Sequence, residues 1–85
     1  MKRPYIKDRK EFDKVAKNYG FEKVDIGEVY EKWYKRVGTT EIYIFNLSHF
    51  ICFVEKGRTV FKGKKYLEKI IEKYVGDISH LIEWR

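Results

Sequence analysis

The feature that most constrains the fold is a run of thirteen residues without Lys, Arg, Asp or Glu, IYIFNLSHFICFV at 42–54, in a chain that is 38% charged. A transmembrane helix needs about 20 consecutive apolar residues, whereas this run is shorter and contains Asn46, Ser48 and His49. It therefore does not predict a membrane span. Its β-branched and aromatic residues predict a hairpin, with strands at about 41–46 and 50–55 and a bend at NLSH. Because the strands are apolar on both faces, we expect them in the middle of a sheet.

The segment before this run predicts an amphipathic helix. Apolar residues recur at i, i+3, i+4 and i+7, namely Phe12, Val15, Ala16 and Tyr19. Asp8 is the expected N-cap, and Glu11 is placed to complete a capping box. Gly20 suits the left-handed position that ends a helix, and Phe21 can fold back on it.

The segment after the run predicts another amphipathic helix and completes the fold class. The sequence GKKYLEKIIEKYVGD at 63–77 has one apolar face, formed by Tyr66, Leu67, Ile70, Ile71, Tyr74 and Val75. Further strands are predicted at about 29–37 and 58–62. The predicted fold class is α+β: a small α-β(3-4)-α domain, an antiparallel β-meander with two helices packed on one face, formed by 1–85 as a single domain. The final DISHLIEWR predicts either a short helical turn capped by Asp77 or a strand.

This architecture leaves the second face of the sheet to be explained. Ile42 and Ile44 point to one face and Tyr43 and Phe45 to the other, and helices on one side can cover only one of these sets. We expect the other face to be partly open, covered by the C-terminal segment, or used by a partner.

Catalytic and metal chemistry find little support in the sequence. The single cysteine, Cys52, excludes an internal disulfide and favours a reducing, intracellular (cytoplasmic) setting. His49 is three residues away, an odd separation that places the two side chains on opposite faces of a strand. Asp77 and His80 alone do not make a metal site, and no Gly-rich phosphate loop is present. We expect a non-enzymatic protein without a metal or cofactor.

The net charge is concentrated in one segment. KGRTVFKGKK at 56–65 has five bases and no acid, while the other 75 residues have 14 bases and 13 acids. Lysines in the first turn of a helix oppose the helix dipole, and the free N–H groups at a helix start attract anions. These observations predict phosphate binding by Lys56, Arg58, Lys62, Lys64 and Lys65, with Tyr66 nearby. Alternatively, the charges only protect an edge strand and keep the protein soluble.

The first predicted strand of the sheet alternates rings with charges. Tyr30 and Tyr34 alternate with Lys32 and Arg36, on a face that could stack on unpaired bases. Alternatively, these tyrosines simply cover sheet surface. Trp33 falls on the opposite face, and we assign it to the core.

The order helix, strands, helix, with KGKK leading into the last helix, resembles the double-stranded-RNA-binding domain in topology. That resemblance implies a role for the lysines at the start of the second helix, Lys64 and Lys65. The chain departs from the family in its fourth predicted strand, in its first hairpin loop and in the Ile and Tyr residues of its second helix. The resemblance is therefore an analogy of topology.

Two functions are consistent with the sequence. The first is a small basic module that docks on nucleic-acid backbone, RNA or DNA, through 56–65. The alternative is a protein-binding module or inhibitor, viral or mobile-element encoded, that uses an open sheet face or edge strand, alone or as a homodimer. The absence of Gln and the high Lys and Glu content are typical of a thermophilic source.

Overall fold

The computed structural model describes residues 2–26, 30–45, 48–60 and 62–85, and the side chains of 25, 26 and 30–32 lie outside that description. In the described part the helices are α1 (Arg9–Val15) and α2 (Lys64–Tyr74), and 3-10 turns cover Ala16–Tyr19 and Ser79–Leu81. The strands are β1 (Pro4–Ile6), β2 (Glu22–Ile26), β3 (Tyr30–Val37), β4 (Thr40–Phe45), β5 (Ile51–Glu55), β6 (Arg58–Thr59) and β7 (Ile82–Trp84).

Strands β2 to β6 form the main sheet, an antiparallel meander in sequence order. Trp33 pairs with Ile44, and Ile44 pairs with Ile51. The β5–β6 connection is a two-residue turn in which Lys56 and Gly57 both have positive φ, 50° and 78°. Such turns match the twist of a hairpin. The predicted central hairpin, the meander and the α+β fold class are confirmed.

A small sheet joins the two ends of the described chain. β1 pairs antiparallel with β7, with Tyr5 opposite Glu83. Tyr5 also bridges to Phe50, and the Ile6 N–H donates to the carbonyl of His49 at 2.8 Å. The small sheet therefore lies against the start of β5, on the edge that β6 occupies further along the strand.

The helices pack on one face of the main sheet, called here the covered face. Its sheet residues include Trp33, Ile42, Ile44 and Phe53, all at most 3% exposed. They belong to one buried cluster with residues of α1, α2 and the chain ends: Phe12, Ala16, Leu67, Ile71, Ile6 and Ile78. Burying an aliphatic or aromatic side chain stabilises a fold by about 1.5–3 kcal/mol, so this cluster is the main source of stability.

Polar contacts fix α1 against the sheet. The Asp8 side chain accepts from the Glu11 N–H at 3.2 Å, as predicted for an N-cap. Asp13 accepts from Trp33 Nε1 at 2.7 Å and from Arg9 Nε at 2.8 Å. Burial alone would raise the pKa of Asp13, but these hydrogen bonds outweigh it and lower the pKa. Asp13 is therefore an ionised link between the helix and the core tryptophan.

Lys35 contacts the C-terminal end of the first helical segment, which consists of α1 and the 3-10 turn Ala16–Tyr19. Its ammonium donates to the carbonyl of Tyr19 at 2.6 Å, and burial lowers its pKa. Gly20, at φ 85°, ends the segment as predicted, and the Phe21 N–H donates back to the Ala16 carbonyl. A cation at the end of a helical segment complements the carbonyls exposed there.

Several elements differ from the sequence-based expectations. β2 is an additional strand. It was not predicted because the charged residues of its segment, EKVDI, make the alternation of apolar residues difficult to recognise. β6 covers Arg58–Thr59 rather than 58–62. DISHLIEWR contains both a 3-10 turn and a strand, and the N-cap of the turn is Ile78, not Asp77. Residue 29, residues 46–47 of the predicted bend at NLSH, and residue 61 lie outside the described residues. In the described part, no helix is long and apolar enough to cross a bilayer.

Candidate functional site

The six predicted binding residues are exposed, and we call them together the basic surface: Lys56, Arg58, Lys62, Lys64, Lys65 and Tyr66. They extend from the β5–β6 turn, along β6, to the first turn of α2. Tyr66 is 45% exposed, the large apolar side chain most open to solvent among the described residues.

The structure brings part of this surface together around one cleft. Lys56, Arg58, Lys62 and Tyr66 line an open cleft of about 390 Å³ between β6 and the start of α2. One carboxylate, that of Glu55, also borders it. Basic side chains from a turn, a strand and a loop thus converge beside the exposed ring of Tyr66.

Lys64 and Lys65 lie outside that cleft. Lys64 Nζ is 3.6 Å from Glu68 Oε1 and 5.6 Å from the centre of the Trp84 ring. Lys65 is exposed in the first turn of α2. That turn has no acidic residue, and its N-cap, Gly63, makes no side-chain hydrogen bond. The start of α2 therefore keeps its positive potential.

Lys56 occupies a backbone conformation that lysine rarely adopts. Its φ of 50° is left-handed, a region that Gly and Asn tolerate best and that costs other residues roughly 1–2 kcal/mol. Its N–H donates to the Thr39 carbonyl at 3.3 Å, which fixes this turn against the β3–β4 turn. A positive charge is thus held at a position where the local backbone favours another residue.

The second face of the main sheet, called here the open face, carries rings. Tyr34, Tyr43 and Cys52 are cross-strand neighbours on this face, and the Tyr34 and Tyr43 ring centres are 5.0 Å apart. Tyr34 and Tyr43 are half-buried, and Cys52 is buried among its neighbours. Arg36 is exposed and donates to the Gly38 carbonyl at 3.0 Å. The side chains of Tyr30 and Lys32 lie outside the described part.

A carboxylate holds the tyrosines at one end of the open face. Glu41 Oε2 accepts from Tyr43 at 2.7 Å and from Tyr34 at 3.0 Å. The bond from Tyr43 and then that from Tyr34 lower the pKa of Glu41. The same bond raises the pKa of Tyr43 to about 12, while burial and then the bond raise that of Tyr34. This end is therefore negatively charged with neutral phenols.

The other end of the open face has rings and arginines, and we call Tyr5, Phe45 and Phe50 the ring cluster. Ring centres are 5.5 Å apart for Tyr5 and Phe50, and 6.3 Å apart for Phe45 and Phe50, whose planes differ by 15°. Arg85 Cζ lies 4.6 Å from the centre of Tyr5, and Arg3 Cζ lies 5.9 Å from that of Phe50. This end is cationic and aromatic.

The ring cluster was missed by sequence reasoning because its members are far apart in the chain. Tyr5 lies in β1 and Arg3 directly precedes it, Arg85 follows β7, and Phe50 precedes β5. The sequence feature that could have indicated it is the alternation of apolar and polar residues in KRPYI and IEWR at the chain ends, which is typical of short strands. Each segment is too short for that pattern to predict pairing.

Cys52 and His49, the residues of the catalytic hypothesis, lie in β5 and just before it. Cys52 is buried on the open face, whereas His49 precedes β5 with a φ of 62°. Among the described residues, no group of three His, Cys, Asp or Glu side chains could hold a metal ion.

The chain matches no family model, no curated protein and no solved structure.

Proposed function

We propose that the protein is a non-enzymatic nucleic-acid-binding module that docks on the phosphate backbone through the basic surface. The observation that carries this proposal is the convergence of Lys56, Arg58 and Lys62 on one open cleft beside the exposed Tyr66 ring. Arginine and lysine side chains and backbone N–H groups are the usual donors to phosphate oxygens. Such contacts give affinity with little sequence preference.

The backbone of Lys56 supports a binding role independently of charge. Asn or Gly would satisfy the left-handed turn position at lower cost, so lysine there favours a use for its charge. In Lys56→Asn we expect the free energy of unfolding to rise by up to about 1 kcal/mol while nucleic-acid affinity falls. A variant that is less stable, or that binds as tightly as wild type, would contradict this interpretation.

The direct test is fluorescence anisotropy with labelled RNA and DNA at about 50 and 200 mM salt. Each phosphate neutralised contributes about −0.9 to the slope of log affinity against log salt on duplex DNA and about −0.7 on a single strand, so we expect a slope of about −3 or steeper. Lys56→Gln with Lys62→Gln should weaken binding and flatten the slope.

The matched control is Lys10→Gln with Lys17→Gln, which removes the same charge from exposed positions on the first helical segment. If both double variants lose affinity equally, only net charge matters and the basic surface is not the site. A flat salt response in wild type would remove the proposal altogether.

A protein partner, or a second copy of the chain, is the second candidate. The observation that favours it is the open face, where half-buried rings lie opposite the covered face. Sedimentation velocity over a range of protein concentrations tests self-association. A stable dimer that binds no nucleic acid would favour this candidate over the first.

A further inference from the structure

The ring cluster is built from separate parts of the chain into one surface. Phe50 lies between Tyr5 and Phe45, with ring centres 5.5 and 6.3 Å away. All three rings are half-buried, while the apolar side chains of the covered face already form the core. The ring cluster is therefore an aromatic surface that lies outside the buried core.

The charges around the ring cluster favour an anionic ligand. Arg3 and Arg85 lie over its rings, and a guanidinium in that position can both stack on a base and donate to a phosphate. Glu83 is the acidic neighbour, 3.4 Å from Arg85. Two further carboxylates of this face, Glu22 and Glu41, are at the tyrosine end.

The ring cluster also lies beside the basic surface. Phe50 and Arg3 line a small cleft of about 10 Å³ together with Lys62. Lys62 also borders the larger cleft that holds Lys56 and Arg58. Lys62 is therefore the residue of the basic surface that shares a cleft with the ring cluster.

We propose that the ring cluster stacks on unpaired bases, so that the ligand class of this protein is single-stranded nucleic acid. The inference rests on the proposed function, since the phosphates of the same strand would lie along the basic surface. Bases within a duplex already stack on each other, whereas every unpaired base offers a face to an aromatic side chain. The tyrosine end, where Glu41 is ionised, would repel phosphate, so the bound strand is expected to run from the cluster toward Lys62.

The test compares ligands of equal charge by fluorescence anisotropy with the wild-type protein. The probes are a single strand, the same strand with abasic sites at every other position, and a duplex of half that length, which has the same number of phosphates. Stacking on aromatic side chains changes affinity by about 5- to 150-fold per base, so we expect the intact strand to bind at least about fivefold tighter than the abasic one. Equal affinities would overturn the inference, and this comparison does not depend on any variant folding.

Variants then locate the effect. Phe50→Leu and Tyr5→Leu should each lower intact-strand affinity by about fivefold or more and leave abasic-strand affinity unchanged. Tyr34→Leu is the matched control, since it removes a half-buried ring from the tyrosine end of the same face. An equal loss of affinity in the control would overturn the assignment to the ring cluster. The assignment would also be overturned if the wild-type protein forms a dimer that binds no nucleic acid and that Phe50→Leu dissociates.

The outcomes separate this inference from the proposed function. If all probes bind alike and Lys56→Gln with Lys62→Gln weakens them equally, the proposed function stands and stacking fails. If strand binding depends on Phe50 but not on these lysines, stacking stands and the basic surface is not the phosphate site. No binding of any probe at low salt would overturn both.

Discussion

The covered face and the open face of the main sheet differ although they share the same strands. In β4, Ile42 and Ile44 are fully buried under the helices, whereas Tyr43 and Phe45 between and beside them are half-buried on the open face. Successive side chains of a strand point to opposite faces, so one segment supplies both surfaces. The comparison separates residues that hold the fold together from residues available for binding.

Each face also has a carboxylate that accepts hydrogen bonds from aromatic side chains. Asp13 accepts from Trp33 and Arg9 and joins α1 to the sheet. Glu41 accepts from Tyr34 and Tyr43 and joins neighbouring strands. The first link supports tertiary packing, while the second only orders a surface.

The largest difference is expected in the free energy of unfolding, when an aromatic ring is removed from each face in turn. Phe12→Ala removes a fully buried ring and should lower the free energy of unfolding by about 3–5 kcal/mol. Phe45→Ala removes a half-buried ring from the open face and should lower it by less than about 2 kcal/mol. Urea denaturation measures both, and equal losses would mean that the open face carries as much of the fold as the covered face.

The next comparison is between two substitutions that each remove one hydrogen-bond donor, one from each face, and it concerns their cost in the free energy of unfolding. Trp33→Phe deletes the Nε1–H that donates to Asp13 and should cost about 1.5–3 kcal/mol, the usual range for a bond to a charged group. Tyr43→Phe deletes a donor to Glu41 from a half-buried ring, whereas Trp33 is buried, and should cost less. Thermal and urea unfolding of both variants measure the difference. A larger loss for Tyr43→Phe would reverse the assignment of roles.

Acid titration of stability should report both carboxylates. Their folded-state pKa values are lowered, so their stabilising contribution is present above the unfolded values, about 4, and is lost as pH falls through the folded ones. We expect the free energy of unfolding to decrease below pH ~4. Asp13→Asn and Glu41→Gln should each flatten this decrease, and unchanged slopes would contradict the pKa directions.

Alkaline titration should report both tyrosines of the open face, because the pKa of Tyr34 is raised as well as that of Tyr43. The folded pKa of Tyr43, about 12, lies above its ordinary value of 10.0, so the folded state holds the proton longer than the unfolded state. Stability is therefore expected to fall as pH rises from 10.0 toward about 12. Tyr43→Phe should lack this part of the decrease when unfolding is followed at alkaline pH.

The smallest expected effect concerns binding. Glu41→Gln removes a negative charge from the open face while leaving an oxygen that can accept from tyrosine. If phosphates lie along the neighbouring surface, single-strand affinity should rise by no more than about threefold at low salt and not at high salt. A fall in affinity would place the strand directly on Glu41.

Local sequence patterns were sufficient to predict several features of the fold. The uncharged run at 42–54 predicted the central hairpin, and Asp8 and Gly20 marked the ends of the first helical segment. The five basic residues of 56–65 are exposed in the structure. These features follow from residues within about ten positions of each other, because helical and strand periodicities are local.

The contacts between distant segments could not be predicted in this way. β2 forms through its pairing with β3 despite its charges, and β1 and β7 pair across almost the whole chain. That pairing brings Tyr5 to Phe50 and Arg85 to Tyr5, which creates the ring cluster. Long-range register depends on the packing of all elements at once, so no short stretch of sequence contains it.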